Sequence, residues 1–401
     1  MPSALNDLRM KPDVQKQRGW VFFSLFVLLA TLAGMGWLLA APYLRPEEAR
    51  SFSFTQDIFP GPAPFAGQHG ASGLPLPGSS PQLYAPAGHA LLLRAWQAVN
   101  TSAVWGPLLL VAGFSGMMAT GYRILRCSEI PKAEALLLVA LLASSPLLAP
   151  SATVLHPDPY EAWGTLYTLS VLYRYSPRKT GWWKLRTGLA VSCFLWISYP
   201  FAVAAGITCG LIFCKILLKK DNRLWSHLLL FLLPQMISAA LVYGLCLRPL
   251  LLTGLPPGTG FSISAWTFIN AGIIGVFFLL FPFRERFCYP IHLGRFAIFT
   301  ALLAGAWTTF AILFRGAFDP IRFNGSIGLH VVALLCLCMV VAVLLSQVPV
   351  RYKPLTYVLL AVLALYRPAL RMWNYVEEAP ARLQGTCVVP KPFNTTQERG
   401  A

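Results

Sequence analysis

The stretch "WVFFSLFVLLATLAGMGWLLAA", Trp20 to Ala41, carries no charged residue and no proline. A helix needs about 20 mostly apolar residues to cross the hydrocarbon core of a bilayer, and this run is long enough. About twenty residues precede it, and "LAAPYL" after it is a weak cleavage-like site, so the run reads as a retained first helix rather than a removed leader. Runs of the same character recur, Ala133–Pro150 and Ile327–Val348 among them. The chain of 401 residues is 56% hydrophobic and 12% charged, against about 25% charged in a soluble domain. The expected class is an all-α polytopic membrane protein.

The net charge of +17 raises the question of nucleic acid. No basic cluster is interleaved with aromatics on a soluble domain, so nucleic acid is not an expected partner. Membrane topology accounts for the charge, because short loops rich in Lys and Arg stay in the cytoplasm. Most of the 32 Lys and Arg fall into a few short segments: Arg9–Arg18, Arg123–Lys132, Arg174–Arg186, Lys215–Arg223, Arg284–Arg295 and Arg351–Lys353. With these inside, about 11 transmembrane helices follow, at 20–41, 103–122, 133–152, 160–175, 187–200, 203–218, 225–247, 266–283, 296–314, 327–348 and 354–372. Residues 1–19 form a cytoplasmic N-terminal segment, 20–372 the transmembrane domain, and 373–401 a short exterior tail. The expected location is the bacterial cytoplasmic (inner) membrane, crossed many times. Of nine cysteines, most lie inside apolar runs, where they read as small core residues. Neither a disulfide framework nor a metal site is indicated.

This threading places "VLHPDPYEAWGTLY", Val154–Tyr167, outside, at the turn between the third and fourth helices. His156, Asp158 and Glu161 lie within six residues there. On the same side stand the long loop 42–86, with Glu47, Glu48 and Asp57, and the cations Arg248, Arg315 and Arg322. A loop of that length with little structure of its own is usually functional or disordered. It leads into "YAPAGHALLLRAW" (Tyr84–Trp96), expected to lie along the membrane surface with His89 and Arg94 snorkelling.

Three segments in this order resemble the GT-C glycosyltransferases, and within them the protein O-mannosyltransferases and the lipid A aminoarabinose transferase. They are "PEEARSFSFTQD" (Pro46–Asp57), "YAPAGHALLL" (Tyr84–Leu93) and "LHPDPYEAW" (Leu155–Trp163). "GLAVSCFLWISYPFAVAAG" (Gly188–Gly206) resembles the apolar hairpin that follows in the family. The resemblance covers roughly the first 220 residues. It implies transfer of a sugar from a polyprenyl-phosphate carrier to an acceptor on the exterior face. Asp57 is then the expected first-loop acid, with Glu48 as rival or helper, and Asp158 the second acid. Glu47 and His156 assist, while Arg248, Arg315 and Arg322 stabilise the leaving phosphate. No cofactor is required, although the carboxylates with His156 suit a hard divalent cation.

The same residues have plainer readings. Asp158 with Pro159 suits a helix start, and Glu161 suits a dipole partner in that helix's first turn. Any one of the three arginines suits a headgroup anchor. Within this sequence reading no helix interior carries a clear charged residue, which disfavours the alternative function, a transporter or lipid flippase without transferase activity. A non-enzymatic scaffold would not need facing acids on one side.

Overall fold

The computed structural model describes residues 14–39, 87–99, 105–145, 158–174, 180–198, 201–218, 224–247, 272–276, 305 and 327–385. These residues form helices, with no strand among them, and the links at 128–131 and 348–352 are short turns. The helices are α1 (Val14–Leu39), α2 (Ala87–Val99), α3 (Trp105–Cys127), α4 (Lys132–Ala143) and α5 (Asp158–Arg174). Then come α6 (Gly181–Ile197), α7 (Phe201–Leu218), a composite α8, α9 (Ile327–Gln347) and α10 (Lys353–Gly385). In α8 a first turn, Leu224–His227, enters a π turn, Leu228–Leu232. A regular stretch, Leu233–Val242, follows, and a second π turn, Tyr243–Leu247, closes the helix.

Several boundaries differ from those read in the sequence, each for a local reason. α6 begins at Gly181 rather than 187, because the Thr180 hydroxyl accepts the Trp183 N–H at 3.3 Å and caps the helix inside the basic loop. α4 ends at Ala143 rather than 152, where Ser144 Oγ donates to Leu141 O at 3.0 Å. α10 continues past 372 to Gly385. Apolarity ends near 372, but Glu377, Glu378, Ala381 and Arg382 are good helix formers. Of the helix expected at 266–283, residues 272–276 are helical. The rest of it lies outside the described residues, as does all of 296–314 except residue 305.

α5 is the hub of the packing, touching α3, α6, α7 and α9. Glycines let large aromatics settle there. A Cβ at Gly116 of α3 would stand 2.5 Å from the Trp163 ring, and one at Gly164 would stand 2.9 Å from Phe194. Trp163 Nε1 donates to Thr120 Oγ1 at 3.1 Å, fixing the same seam through a polar tip. α9 also packs on α4. Its residues Ile327–Ala333 are all buried, and so are Cys336 and Cys338. Two cysteines two positions apart are both enclosed because the helix is wrapped on more than one side.

The first π turn of α8 has a sequence cause. Pro234 offers no N–H, and its ring crowds the carbonyl one turn back. Gln235 Nε2 instead donates to Phe231 O at 2.9 Å, while Gln235 Oε1 accepts from Cys209 Sγ of α7 at 2.8 Å. α6 lies close against this turn, since a Cβ at Gly188 would sit 2.7 Å from Phe231 O.

The helices run up and down, and cross-helix contacts pair their ends. Tyr160 OH of α5 donates to Leu109 O near the start of α3 at 2.6 Å. At the other end of the same two helices, Tyr173 OH donates to Cys127 O at 2.9 Å. α4 and α10 begin side by side: Tyr357 OH donates to Glu134 Oε1 at 2.9 Å, and Lys353 Nζ stands 3.6 Å from the same oxygen. Trp20 of α1 stacks edge-on to Tyr357 with ring centroids 5.1 Å apart. The α3–α4 turn lies at this end too. Its Ile130 N–H donates to Leu125 O and its Glu129 N–H to Arg126 O, the pattern of a Schellman close. Glu129 takes the left-handed position with φ 65.

Charge is divided between the two ends. Every Lys and Arg whose side chain is described lies at the end just outlined: Arg18, Arg123, Arg126, Lys132, Arg174, Lys184, Arg186, Arg351 and Lys353. At the opposite end the one described carboxylate side chain is Glu161. Among the described residues, Ile327–Gln347 and Lys353–Leu370 are long and apolar enough to cross a membrane by length and composition. Arg18–Ala33, Ala204–Cys214 and Leu229–Leu245 are apolar and shorter.

Candidate functional site

At the end opposite the basic residues, the start of α5 meets the end of α6 and the start of α9. Asp158 is the first residue of α5, followed by Pro159, which the first turn of a helix accepts without loss of a hydrogen bond. One turn further, Glu161 is 4% exposed. Its Oε2 accepts from Ser198 Oγ at 2.9 Å, and its Oε1 accepts from the Gly328 N–H at 3.1 Å. The carboxylate therefore joins three helices. It meets an otherwise unpaired N–H at the N-terminus of α9, where the helix dipole favours negative charge.

This changes the reading of Glu161. The sequence suggests a dipole partner for the first turn of its own helix. The partner is a different helix, 167 residues downstream. Ser198, Gly328 and His330, which is buried close behind Gly328 on α9, were not singled out by the sequence reading. The available signal was a polar residue interrupting an apolar run, as in "IGLHVVALL" (Ile327–Leu335).

Tyr160 extends the cluster towards α2 and α3. Its ring stands 6.4 Å from that of His89 and 6.4 Å from that of Trp163. His89 is 2% exposed, so it does not snorkel as expected. α2 seats it inward against α5, and Gly88 permits the approach: a Cβ there would stand 2.4 Å from Trp196 O of α6.

Buried ionisable groups also occur in helices that the sequence reading took to have uncharged interiors. Glu161 is one. Glu134 is held by Tyr357 and Lys353. Lys184, 1% exposed, donates to Ser226 Oγ of α8 at 3.2 Å. All three lie within a turn or two of a helix end and have named partners. Such satisfied pairs escape a scan for mid-helix charges.

Glu47, Glu48, Asp57, His156, Arg248, Arg315 and Arg322 lie outside the described residues, and so does the side chain of Asp158. Among the described residues no group of three or more His, Cys, Asp or Glu side chains is placed to hold a metal ion.

No family model, no curated protein and no solved structure matches this chain.

Proposed function

We propose that the chain is a multi-pass enzyme of a cytoplasmic membrane that moves a sugar from a polyprenyl-phosphate carrier to an acceptor on the exterior face. The observation that carries this reading is the division of charge between the ends of the bundle. By the positive-inside tendency the basic end faces the cytoplasm, which turns the start of α5, with Asp158, outward. The helix surfaces agree with a lipid setting. Phe22, Phe26, Met236, Leu245, Leu355 and Leu359 are exposed large apolar side chains, and soluble proteins rarely show broad apolar faces.

In this reading Asp57, or Glu48 in its place, takes the proton of the acceptor as its oxygen or nitrogen attacks the anomeric carbon. The bond from that carbon to the carrier phosphate breaks. Arg248, Arg315 and Arg322 bind the phosphate oxygens as charge develops there. Asp158 orients the acceptor or the sugar ring, with Glu47 and His156 assisting. The resemblance of Pro46–Asp57, Tyr84–Leu93 and Leu155–Trp163 to the GT-C enzymes supports these assignments.

The test is transfer by purified protein in lipid, offered a panel of polyprenyl-phosphate sugars. Wild type is compared with Asp57→Asn, Glu48→Gln and Asp158→Asn. Carrier-dependent transfer that an isosteric change abolishes, in a folded protein, identifies the acid. Absence of turnover with every carrier, or full activity in all three variants, removes the reading.

A second reading, a transporter or lipid flippase, draws on the buried Glu134, Glu161 and Lys184, since ionisable groups inside membrane helices commonly mark a transport path. Flux of substrate across sealed vesicles, lost in Glu161→Gln while no sugar is transferred, separates the two.

A further inference from the structure

We infer that Glu161 is a positioning residue of the proposed transfer site. Its carboxylate ties the first turn of α5, which Asp158 opens, to the end of α6 and the start of α9, and the rate of transfer depends on that tie. Glu161 acts through Asp158 and not on the substrate. The inference rests on the transfer reading and deepens it at the same site.

The first turn of a helix is loosely held, because its N–H groups have no partner within the helix and its end frays. Asp158 is the first residue of α5, so its backbone is fixed by what grips the residues just after it. Two grips are present. Tyr160 OH donates to Leu109 O of α3 at 2.6 Å. Glu161 accepts from Ser198 Oγ at 2.9 Å and from the Gly328 N–H at 3.1 Å. Ser198 caps the end of α6 in extended backbone, its own N–H on Phe194 O at 3.0 Å, and its side chain is buried. Gly328 is the second residue of α9. One carboxylate thus gathers three helix ends, one turn from Asp158.

Stability alone does not ask for a carboxylate here, since a well-packed apolar side chain in place of a buried charge is often neutral or stabilising. What a buried, directed polar group adds is selection of one arrangement of the elements it joins. Group transfer needs that selection, because a displacement of about 1 Å at a reacting group can lower a rate about 100-fold. Glutamine can make both contacts, its oxygen accepting from Gly328 and its amide donating to Ser198 Oγ, because a hydroxyl accepts as well as donates. Positioning therefore survives Glu161→Gln. A role for the charge itself, as in a transport path, does not.

The experiment measures kcat and the carrier KM of the full chain in lipid, at a temperature below the unfolding midpoint of every variant. Glu161→Gln is expected to keep kcat within about threefold of the wild type. Glu161→Ala is expected to lower kcat by roughly 30-fold with the carrier KM little changed, and Ser198→Ala, which removes one of the two contacts, by about threefold. On the residual rate of Asp158→Asn, Glu161→Ala is expected to add no further loss, because effects that pass through one residue are not additive. Tyr357→Phe removes a buried bond at the opposite end, and is expected to lower the midpoint without lowering kcat, which separates positioning from stability. Where Glu161→Ala fails to fold, Ser198→Ala carries the test. Wild-type kcat in both Glu161→Ala and Ser198→Ala overturns the inference and leaves the transfer reading standing. So does full activity in Asp158→Asn, a full further loss in the double variant, or a fall in Glu161→Gln as deep as in Glu161→Ala. Absence of turnover by the wild type with every carrier removes the transfer reading, and the positioning role with it.

Discussion

Replacing Glu161 with Ala strands two donors at once, the Ser198 hydroxyl and the Gly328 N–H, both in a buried setting. A hydrogen bond to a charged group contributes about 1.5–3 kcal/mol, and an abandoned buried donor carries its own penalty. Glu161→Ala is therefore expected to lower stability by about 2–4 kcal/mol. Glu161→Gln keeps the shape and one acceptor, and is expected to cost about half as much. Thermal unfolding of both variants in one detergent checks the order; equal midpoints for the two would mean that the shape and acceptor kept by Gln contribute nothing, and a Gln variant equal to the wild type would mean that the carboxylate charge is irrelevant. Glu129 makes the opposite case. Its left-handed backbone, φ 65, is easier for glycine. Glu129→Gly is expected to raise stability by about 0.5–1 kcal/mol, read as a higher unfolding midpoint.

Among whole helices, the glycines divide by what surrounds them. A Cβ at Gly116 meets a ring at 2.5 Å, and one at Gly188 meets a backbone oxygen at 2.7 Å. Neither neighbour is the loose end of a flexible chain. Gly116→Ala and Gly188→Ala are expected to cost about 1–3 kcal/mol by forcing α3 from α5 and α6 from α8. Gly206 and Gly210 on α7 have nothing within 4 Å of a Cβ, so alanine there is expected to be neutral or to stabilise by up to about 1 kcal/mol. Midpoints of the four variants test the contrast. This scale also shows how much of the fold was legible. The helical class, and the positions of α1, α5, α7 and α9, follow from apolar runs bounded by charge or by Pro. The start of α6 was missed because its first turn, "GWWK" (Gly181–Lys184), lies in what reads as a basic loop, and only the Thr180 cap marks it. The π turn of α8 was foreshadowed by Pro234 but not fixed by it, since the outcome depends on Gln235 and on the fit of Gly188.

For the molecule as a whole, the division of charge predicts sidedness. In a variant whose native cysteines are replaced, a new cysteine at Glu129 or Arg351 is expected to react with an impermeant thiol reagent only from the cytoplasmic side. Labelling from outside would invert the topology and with it the proposed site. The candidate site was legible only in part. Asp158 and Glu161 draw notice through their spacing and the flanking prolines. The partners of Glu161 could not be read, because Ser198 and Gly328 lie 37 and 167 residues away, and only packing brings them together.

The late position of α9 and α10 in the chain has a consequence for synthesis. α9 packs against α4 and α5, and α10 packs against α1 and α4. The first four-fifths of the chain thus emerges from the ribosome with a vacant berth, and Glu161 waits there for an amide not yet made. A nascent bundle in this state would keep the buried faces of α4 and α5 uncovered until its last helices arrive. Chains halted before Ile327 are expected to be cleared by quality control, and pulse–chase of a chain ending at residue 326 against the full chain measures it. Birth order, as well as final contacts, then shapes how this sequence reaches its fold.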